Sequence, residues 1–251
     1  MLRLALALLL MVTPALAEEV VLGLSQDEVA ITATFDGDDI LIFGAVKREA
    51  PIPDGKPLEV VVTVAGPSEP LTVRRKDKRL GIWVNVDAVM IDQAPSFYAV
   101  ASTGPLREVL SNTEDLRHKI SINRAIRFVG APEGITDGAR FTEALIRIRK
   151  EAKLYQTLEG EVGLAQQTLF RTQINLPANL VEGGYMTRIF LTRDGQVVDT
   201  YERVLEVRKV GLERWLYNLA HENPLIYGLM SLAIAIAAGW GASAAFRAIK
   251  G

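Results

Sequence analysis

The side chains that could do chemistry are few and dispersed. Histidine occurs twice, at His118 and His221, and neither is read as having a second His or a carboxylate at the H-x-x-x-H spacing that sets two metal ligands on one helix face. His221-Glu222 reads as an exposed polar cap. Ser102-Thr103-Gly104 and Ser25 sit among strand and turn residues with no nucleophile elbow leading into a helix, so a serine hydrolase has no anchor. Asp36-Gly37-Asp38-Asp39 offers oxygen ligands to calcium but lacks the further carboxylates of a loop site, and it falls where a hairpin turn is required. Asp87, Asp92, Glu114 and Asp115 are too scattered in sequence to argue a glycosidase-type pair, although folding could bring them together. Gly183-Gly184 and Gly239-x-Gly241 fall in a hairpin and in an apolar run, not in a phosphate loop. No catalytic, cofactor-binding or metal-binding residue is therefore assigned, and the chain reads as a non-enzyme.

The basic run Arg74-Arg75-Lys76-Asp77-Lys78-Arg79 joins two predicted strands. It reads as a solvated hairpin tip, or as a contact for anionic lipid headgroups or an acidic partner. The formal net charge of −2 becomes −3 if Arg3 is removed with a leader, which is no electrostatic trap for nucleic acid.

The two ends position this body. Residues 225–246 form an apolar run of about 22 residues, long enough to cross a hydrocarbon core of roughly 30 Å as one helix. At the other end, Arg3, the apolar stretch 4–12, Pro14 and Ala15-Leu16-Ala17 are the parts of a secretory signal peptide at 1–17, with cleavage expected after Ala17. Together they predict a single-pass protein of the cell inner membrane. Its body lies in the periplasm and a stub at 247–251 in the cytoplasm. The flanking cations Arg208, Lys209 and Arg214 outnumber Arg247 and Lys250, so the leader, not the charge bias, carries this orientation. The absence of cysteine removes disulfides and zinc–thiolate chemistry.

The exported body reads as mainly β. Segments 20–24, 29–35, 40–46, 58–65, 71–75, 80–86 and 97–101 alternate or are β-branched and are separated by turn residues, which predicts an immunoglobulin-like β-sandwich over 18–104 with Trp83 as a core aromatic. Residues 105–135 read as a linker with a possible strand at 120–129. Thr136 or Asp137 can cap an amphipathic helix whose apolar residues Phe141, Leu145, Ile148, Ala152 and Tyr155 recur at three- and four-residue steps. Strands at 161–164, 168–176, 185–192 and 197–207 follow, with Asp194-Gly195 as a hairpin signal, giving a second β module over 136–209. The fold class is thus two Ig-like modules, an inter-domain amphipathic helix and one transmembrane helix.

Between body and membrane, Leu212, Trp215, Leu216 and Leu219 form a stripe over 210–223, suited to the headgroup layer or to packing back on the second module. Asn223-Pro224 breaks that helix before the span at 224–246. Within the span, Ser231, Ala235, Gly239 and Ser243 make a row of small residues at four-residue steps, the kind of face on which membrane helices approach closely. It predicts a membrane-protein partner or self-association.

Several segments resemble a known family. They are Pro95-Ser96-Phe97-Tyr98-Ala99-Val100-Ala101-Ser102, Leu169-Phe170-Arg171 leading to Leu176-Pro177-Ala178-Asn179 and Gly184-Tyr185, and the closing Leu225-Ile226-Tyr227-Gly228 with Gly239-Trp240. The chain resembles the Alph_Pro_TM family of alphaproteobacterial transmembrane proteins. That resemblance implies an exported, once-spanning protein of unknown biochemical function, associated with a sulfite-exporter-like permease. Two functions follow as expectations. One is a non-catalytic periplasmic accessory protein anchored in the membrane; the other is an anchored enzyme or solute-binding module with a site between the two β modules.

Overall fold

The computed structural model describes residues 18–24, 28–31, 37–48, 57–130, 132, 135–209 and 212–250. The expected signal peptide at 1–17, Ser25, Asp36 and the turn cluster at 51–55 lie outside the described residues. The strands are β1 Glu18–Leu24, β2 Glu28–Ile31, β3 Gly37–Arg48, β4 Glu59–Ala65, β5 Ser68–Arg79, β6 Ile82–Pro95 and β7 Tyr98–Ser102. After them come three short helices, α1 Leu106–Val109, α2 Asn112–His118 and α3 Ile122–Ala125, and a longer one, α4 Gly138–Glu151. Five more strands follow, β8 Tyr155–Glu159, β9 Gly163–Ala165, β10 Leu169–Pro177, β11 Gly183–Arg193 and β12 Gln196–Lys209. Helices α5 Leu212–Glu222 and α6 Pro224–Lys250 close the described chain. The protein is mainly β with a C-terminal apolar helix, and it divides into a β unit running through Val207 and a helical unit from Arg208 onward that also takes in Ala30–Phe35.

Burial periodicity builds the β unit. In β3, Ile40, Ile42, Gly44 and Val46 are buried while Leu41 and Phe43 face out, and β10 repeats the pattern with Phe170, Thr172, Ile174 and Leu176 inside. A strict period of two turns one face of a sheet inward. These strands lie in a four-stranded sheet ordered β1-β3-β10-β9, in which β3 pairs antiparallel with both β1 and β10. The larger sheet is ordered β2-β12-β11-β4-β7-β8. Val60 to Val64 of β4 and all of β7 are buried, so both faces of this central pair are covered. Helix α1 contacts β4, α3 contacts β7 and α4 contacts β8. Val20 N donates to Asp199 of β12 at 2.9 Å and Gln156 of β8 donates to the Asn175 carbonyl of β10 at 2.7 Å, tying the two sheets together.

This topology revises the expected division at 104 and 136. Strands from 18–104 and from 136–209 are combined within both sheets: β3 pairs with β10, β4 with β11, and β7 runs parallel to β8. Parallel neighbours need a crossover connection, and residues 103–154, with α1 to α4, are that crossover and not a linker between modules. The strand expected at 120–129 is replaced by α3 and a single bridge between Arg127 and Gln93. Local polar bonding favours the turn. Ser111 Oγ accepts from Glu114 N at 3.4 Å at the start of α2, and Ser121, which makes no cap bond to α3, donates from N and Oγ to Asp115 of α2 at 2.7 and 2.8 Å. In α4 the residues Phe141 and Leu145 are buried as expected. Ile148 is exposed, and Tyr155 belongs to β8.

Strands β5 and β6 leave both sheets. They pair only with each other as a two-stranded arm inserted between the neighbours β4 and β7. The ladder continues through the elbow, with Gly66 N bonded to the Phe97 carbonyl and Ser96 N to the Pro67 carbonyl, each at 2.8 Å. The elbow is clamped by Tyr155 Oη donating to the Pro95 carbonyl at 2.8 Å, and Arg149 reaches the Ser96 carbonyl at 3.3 Å. Burial pushes the Tyr155 phenol up to about 12, so it stays a neutral donor until strongly alkaline pH. A Cβ on Gly66 would lie 2.6 Å from Ser96 Oγ and 3.0 Å from the Tyr185 ring. Gly66→Val is therefore expected to destabilise the fold by about 1–3 kcal/mol, read as a lowered urea midpoint in detergent solution.

Candidate functional site

Two surfaces carry side chains that the β core does not use. The first is α6. Pro224 occupies its first position, where a missing N–H costs nothing, and Asn223 continues from α5 through its N–H to the Leu219 carbonyl at 3.1 Å. Pro224–Ala244 contains an 18-residue window of mean hydropathy 1.8, and none of its 21 residues is buried. At 1.5 Å per residue the segment is about 31 Å long, which matches a hydrocarbon core. Ser231, Ala235, Gly239 and Ser243 lie on this one unbroken helix and all are exposed. A Cβ on Gly228, Gly239 or Gly241 would meet nothing within 4 Å, so the small-residue surface is open to a neighbour. The Ser231 hydroxyl donates back to the Tyr227 carbonyl at 2.8 Å, which satisfies it within the helix. Next to this segment, Trp215 and Tyr217 of α5 are exposed, and the Tyr217 ring stacks on His221 at 4.0 Å.

The second surface is the β5–β6 arm. Trp83, expected in a sandwich core, is 68% exposed near the arm's end, because a projecting two-stranded ribbon has the sequence pattern of a core strand without its cover. The basic run is not the tip either, since 74–79 lie within β5 and the turn is Leu80-Gly81. Both turn residues have positive φ, +49° and +86°, as a type I′ hairpin requires. Asp194-Gly195, between β11 and β12, has the same signature with φ of +54° and +73°. Aspartate tolerates that region; a leucine costs about 1–2 kcal/mol there.

Arg75 marks where the arm becomes free of the body. Its guanidinium bonds Asp87 across the arm at 2.8 Å and Asp137 before α4 at 2.6 Å, and it lies over the Phe141 ring at 5.2 Å. Hydrogen bonding to Asp87, then to Asp137, raises the Arg75 pKa, and the bond from Arg75 lowers that of Asp137. Asp137 stands at the N-cap of α4 but makes no side-chain cap bond, because its carboxylate is directed to the arm.

The dispersed carboxylates Asp87, Asp92, Glu114 and Asp115 are each engaged locally. Asp87 holds Arg75, Asp92 accepts from Val129 N at 2.9 Å, and Asp115 accepts from Ser121 N and Oγ at 2.7 and 2.8 Å. Glu114 is buried against Arg117 at 2.7 Å and His118 at 3.4 Å. That pair corrects the sequence reading of His118: Glu114 stands four residues before it, one helical turn away, and the spacing was there to be seen. Arg188 completes the cluster by donating to the His118 carbonyl at 2.8 Å while lying over Phe190. Asp38 accepts from Asp39 N, and Asp39 accepts from Asn175, its partner across the β3–β10 ladder, so these residues lie in a strand and not in the expected hairpin turn. Ser102 Oγ donates to the Gly104 carbonyl at 2.6 Å. Among the described residues no three His, Asp or Glu side chains come together as a metal site.

Residues 19–248 match the family described as Putative transmembrane protein (Alph_Pro_TM). The chain belongs to this family. None of the curated proteins matches it. Membership and the 21-residue apolar helix agree on a membrane protein, and the family adds no reaction. The resemblance segments now have places: 95–102 spans the elbow and β7, 169–179 is β10 with its turn, and 225–228 and 239–240 lie in α6.

The Arg75 contacts generate a titration. Because the folded pKa of Asp137 is depressed, its contribution to stability is complete above the ordinary aspartate value of about 3.9 and is lost as pH falls through the lowered folded value. Carboxyl-detected NMR should find Asp137 titrating below that ordinary value, and Arg75→Gln should return it to the ordinary range without changing the fold.

Proposed function

We propose that the protein is a non-catalytic accessory protein of the cell inner membrane. Its β body stands in the periplasm, its C-terminus lies in the cytoplasm, and α6 both tethers it and docks it. The observation that carries the reading is the open row Ser231, Ala235, Gly239 and Ser243 on a helix of membrane-spanning length. Lipid offers no hydrophobic drive for helix association, so backbones gain by close packing where side chains are small. The partner is a helix of another membrane protein or of a second copy, and the family resemblance suggests a sulfite-exporter-like permease. A non-catalytic role is supported by Asp87, Asp92, Glu114 and Asp115, the carboxylates considered for a site, each of which among the described residues already holds a local bond or ion pair.

Crosslinking in native membranes tests this. Gly239→Ile places a branched side chain in the row and is expected to reduce the crosslinked species to background, while Leu232→Ile, outside the row, leaves it intact. Crosslinking unchanged by Gly239→Ile contradicts the proposed face.

A further inference from the structure

The distal half of the β5–β6 arm contributes nothing to the core from which it projects. Val89 and Ile91 are buried at its root, where α4 contacts both strands, but no residue from 76 to 86 is buried. Beyond Arg75 the ribbon extends four residues of β5 and, with a bulge at Val86, five of β6, plus a turn, a reach of about 14 Å. An exposed ribbon needs a polar end to stay soluble. This one ends in Leu80, Ile82 and Trp83, with exposures of 105%, 65% and 68%.

Backbone conformation makes the choice of residue more telling. Leu80 takes the left-handed φ of +49° at the first central position of the turn, where the β11–β12 hairpin uses Asp194 and the β9–β10 turn uses Gln166 and Gln167, all three polar. Neither packing nor backbone preference within the molecule accounts for a leucine there. Contact with something apolar outside the molecule does.

The charges say what kind of surface that is. In register, Lys78 faces Trp83, Arg79 faces Ile82 and Lys76 faces Asn85. Alternation along the strand puts Lys76 and Lys78 on one face of the ribbon and Arg79 on the other, so cations stand behind the apolar tip on both sides. Arg79 is paired with Asp77 at 3.2 Å, and among the described residues Lys76 and Lys78 have no carboxylate partner. A protein pocket would need an acidic rim of matching shape. A plane of anionic headgroups over an apolar interior has that arrangement everywhere, and indole rings settle at this boundary.

We infer that the arm's tip is a membrane-contacting finger, which inserts Leu80, Ile82 and Trp83 into the headgroup layer of an anionic bilayer while Lys76, Lys78 and Arg79 engage lipid phosphates. Its reach suffices for the roughly 5–10 Å to which interfacial apolar faces are buried. The finger goes beyond the docking role of α6 and depends on it only for proximity to a membrane. It gives the protein a second contact with the bilayer that responds to lipid charge.

The chain has three tryptophans, so Trp215→Phe with Trp240→Phe leaves Trp83 as the sole reporter. This full-length variant is reconstituted into vesicles of phosphatidylcholine alone or with phosphatidylglycerol, and Trp83 emission and its quenching by lipids brominated near the headgroup are recorded. In anionic vesicles the emission should shift to the blue and be quenched. Both effects should fade in high salt and in phosphatidylcholine alone, and Lys76→Gln or Lys78→Gln should each reduce the contacting population about fivefold. Leu80→Gly relieves the turn, so it should keep or raise thermal stability while weakening quenching. Water-like emission without quenching in every vesicle overturns the inference. Shielding of Trp83 found only in native membranes, and absent from pure lipid, overturns it in favour of a protein partner. Gly239→Ile should leave the vesicle signals unchanged, which separates this result from the fate of the helix-docking reading.

Discussion

The continuation of the β4–β7 ladder through the elbow at Gly66 and Phe97 is the constraint on which the rest of this structure depends. β4 and β7 are the buried centre of the large sheet, so the connection between them cannot wander. The chain instead keeps antiparallel pairing for the whole excursion from Ser68 to Pro95 and bends it outward. The bend is possible because Gly66 presents no Cβ to Tyr185, whose ring sits 6.0 Å from that of Phe97. Tyr155 of β8, Arg149 of α4 and Asp137 before α4, which accepts from Arg75 of the arm, then fix its root. A core strand pair and an exposed apolar tip are thereby two ends of one hydrogen-bonded ribbon.

Polar chemistry in the β unit serves the same purpose. Tyr98 Oη donates to the Ile120 carbonyl at 2.7 Å, and burial pushes its phenol up to about 12. Tyr185 donates to Val181 O at 2.8 Å, and burial raises its pKa as well. A neutral buried phenol that donates to a backbone carbonyl meets the rule that interior polar groups find partners. For all three tyrosines the folded pKa is raised, so the stability they contribute is complete below the ordinary value of about 10 and is lost as pH rises through the folded values. Asp115, Glu114 and Arg188 likewise fasten the crossover helices to the sheet and to one another. These side chains locate helices, and no substrate is needed to explain them.

The strands themselves are legible because apolar residues alternate with period two in β3 and β10 and because Asp194-Gly195 carries its turn chemistry openly. The apolar helix was legible from length alone, and Pro224 marks its start. What escaped were the features that composition cannot distinguish. A projecting ribbon and a core strand share β-branched and aromatic residues, so Trp83 was read as interior. Interleaving of early and late strands leaves no local mark: residues 37–48 and 169–177 contain nothing that announces their pairing. The helices at 106–125 are short, and the Ser111 cap, the Ser121–Asp115 bonds and the left-handed Lys119 at φ +52° outweigh the apolar residues 120 and 122 that suggest a strand. For the surfaces that interact, the small-residue row was visible as spacing. The finger needed the turn geometry, because only φ at Leu80 shows which residues form the tip.

The central claim is that α6 holds a body on the periplasmic face of the inner membrane. The chain contains no cysteine, so a single one placed at Glu161 on the exposed body or at Arg247 beyond the apolar segment is the only thiol present. Labelling of spheroplasts with a membrane-impermeant maleimide should modify Glu161→Cys in intact cells and Arg247→Cys only after lysis. The reverse pattern, or labelling of both sites before lysis, would contradict the account.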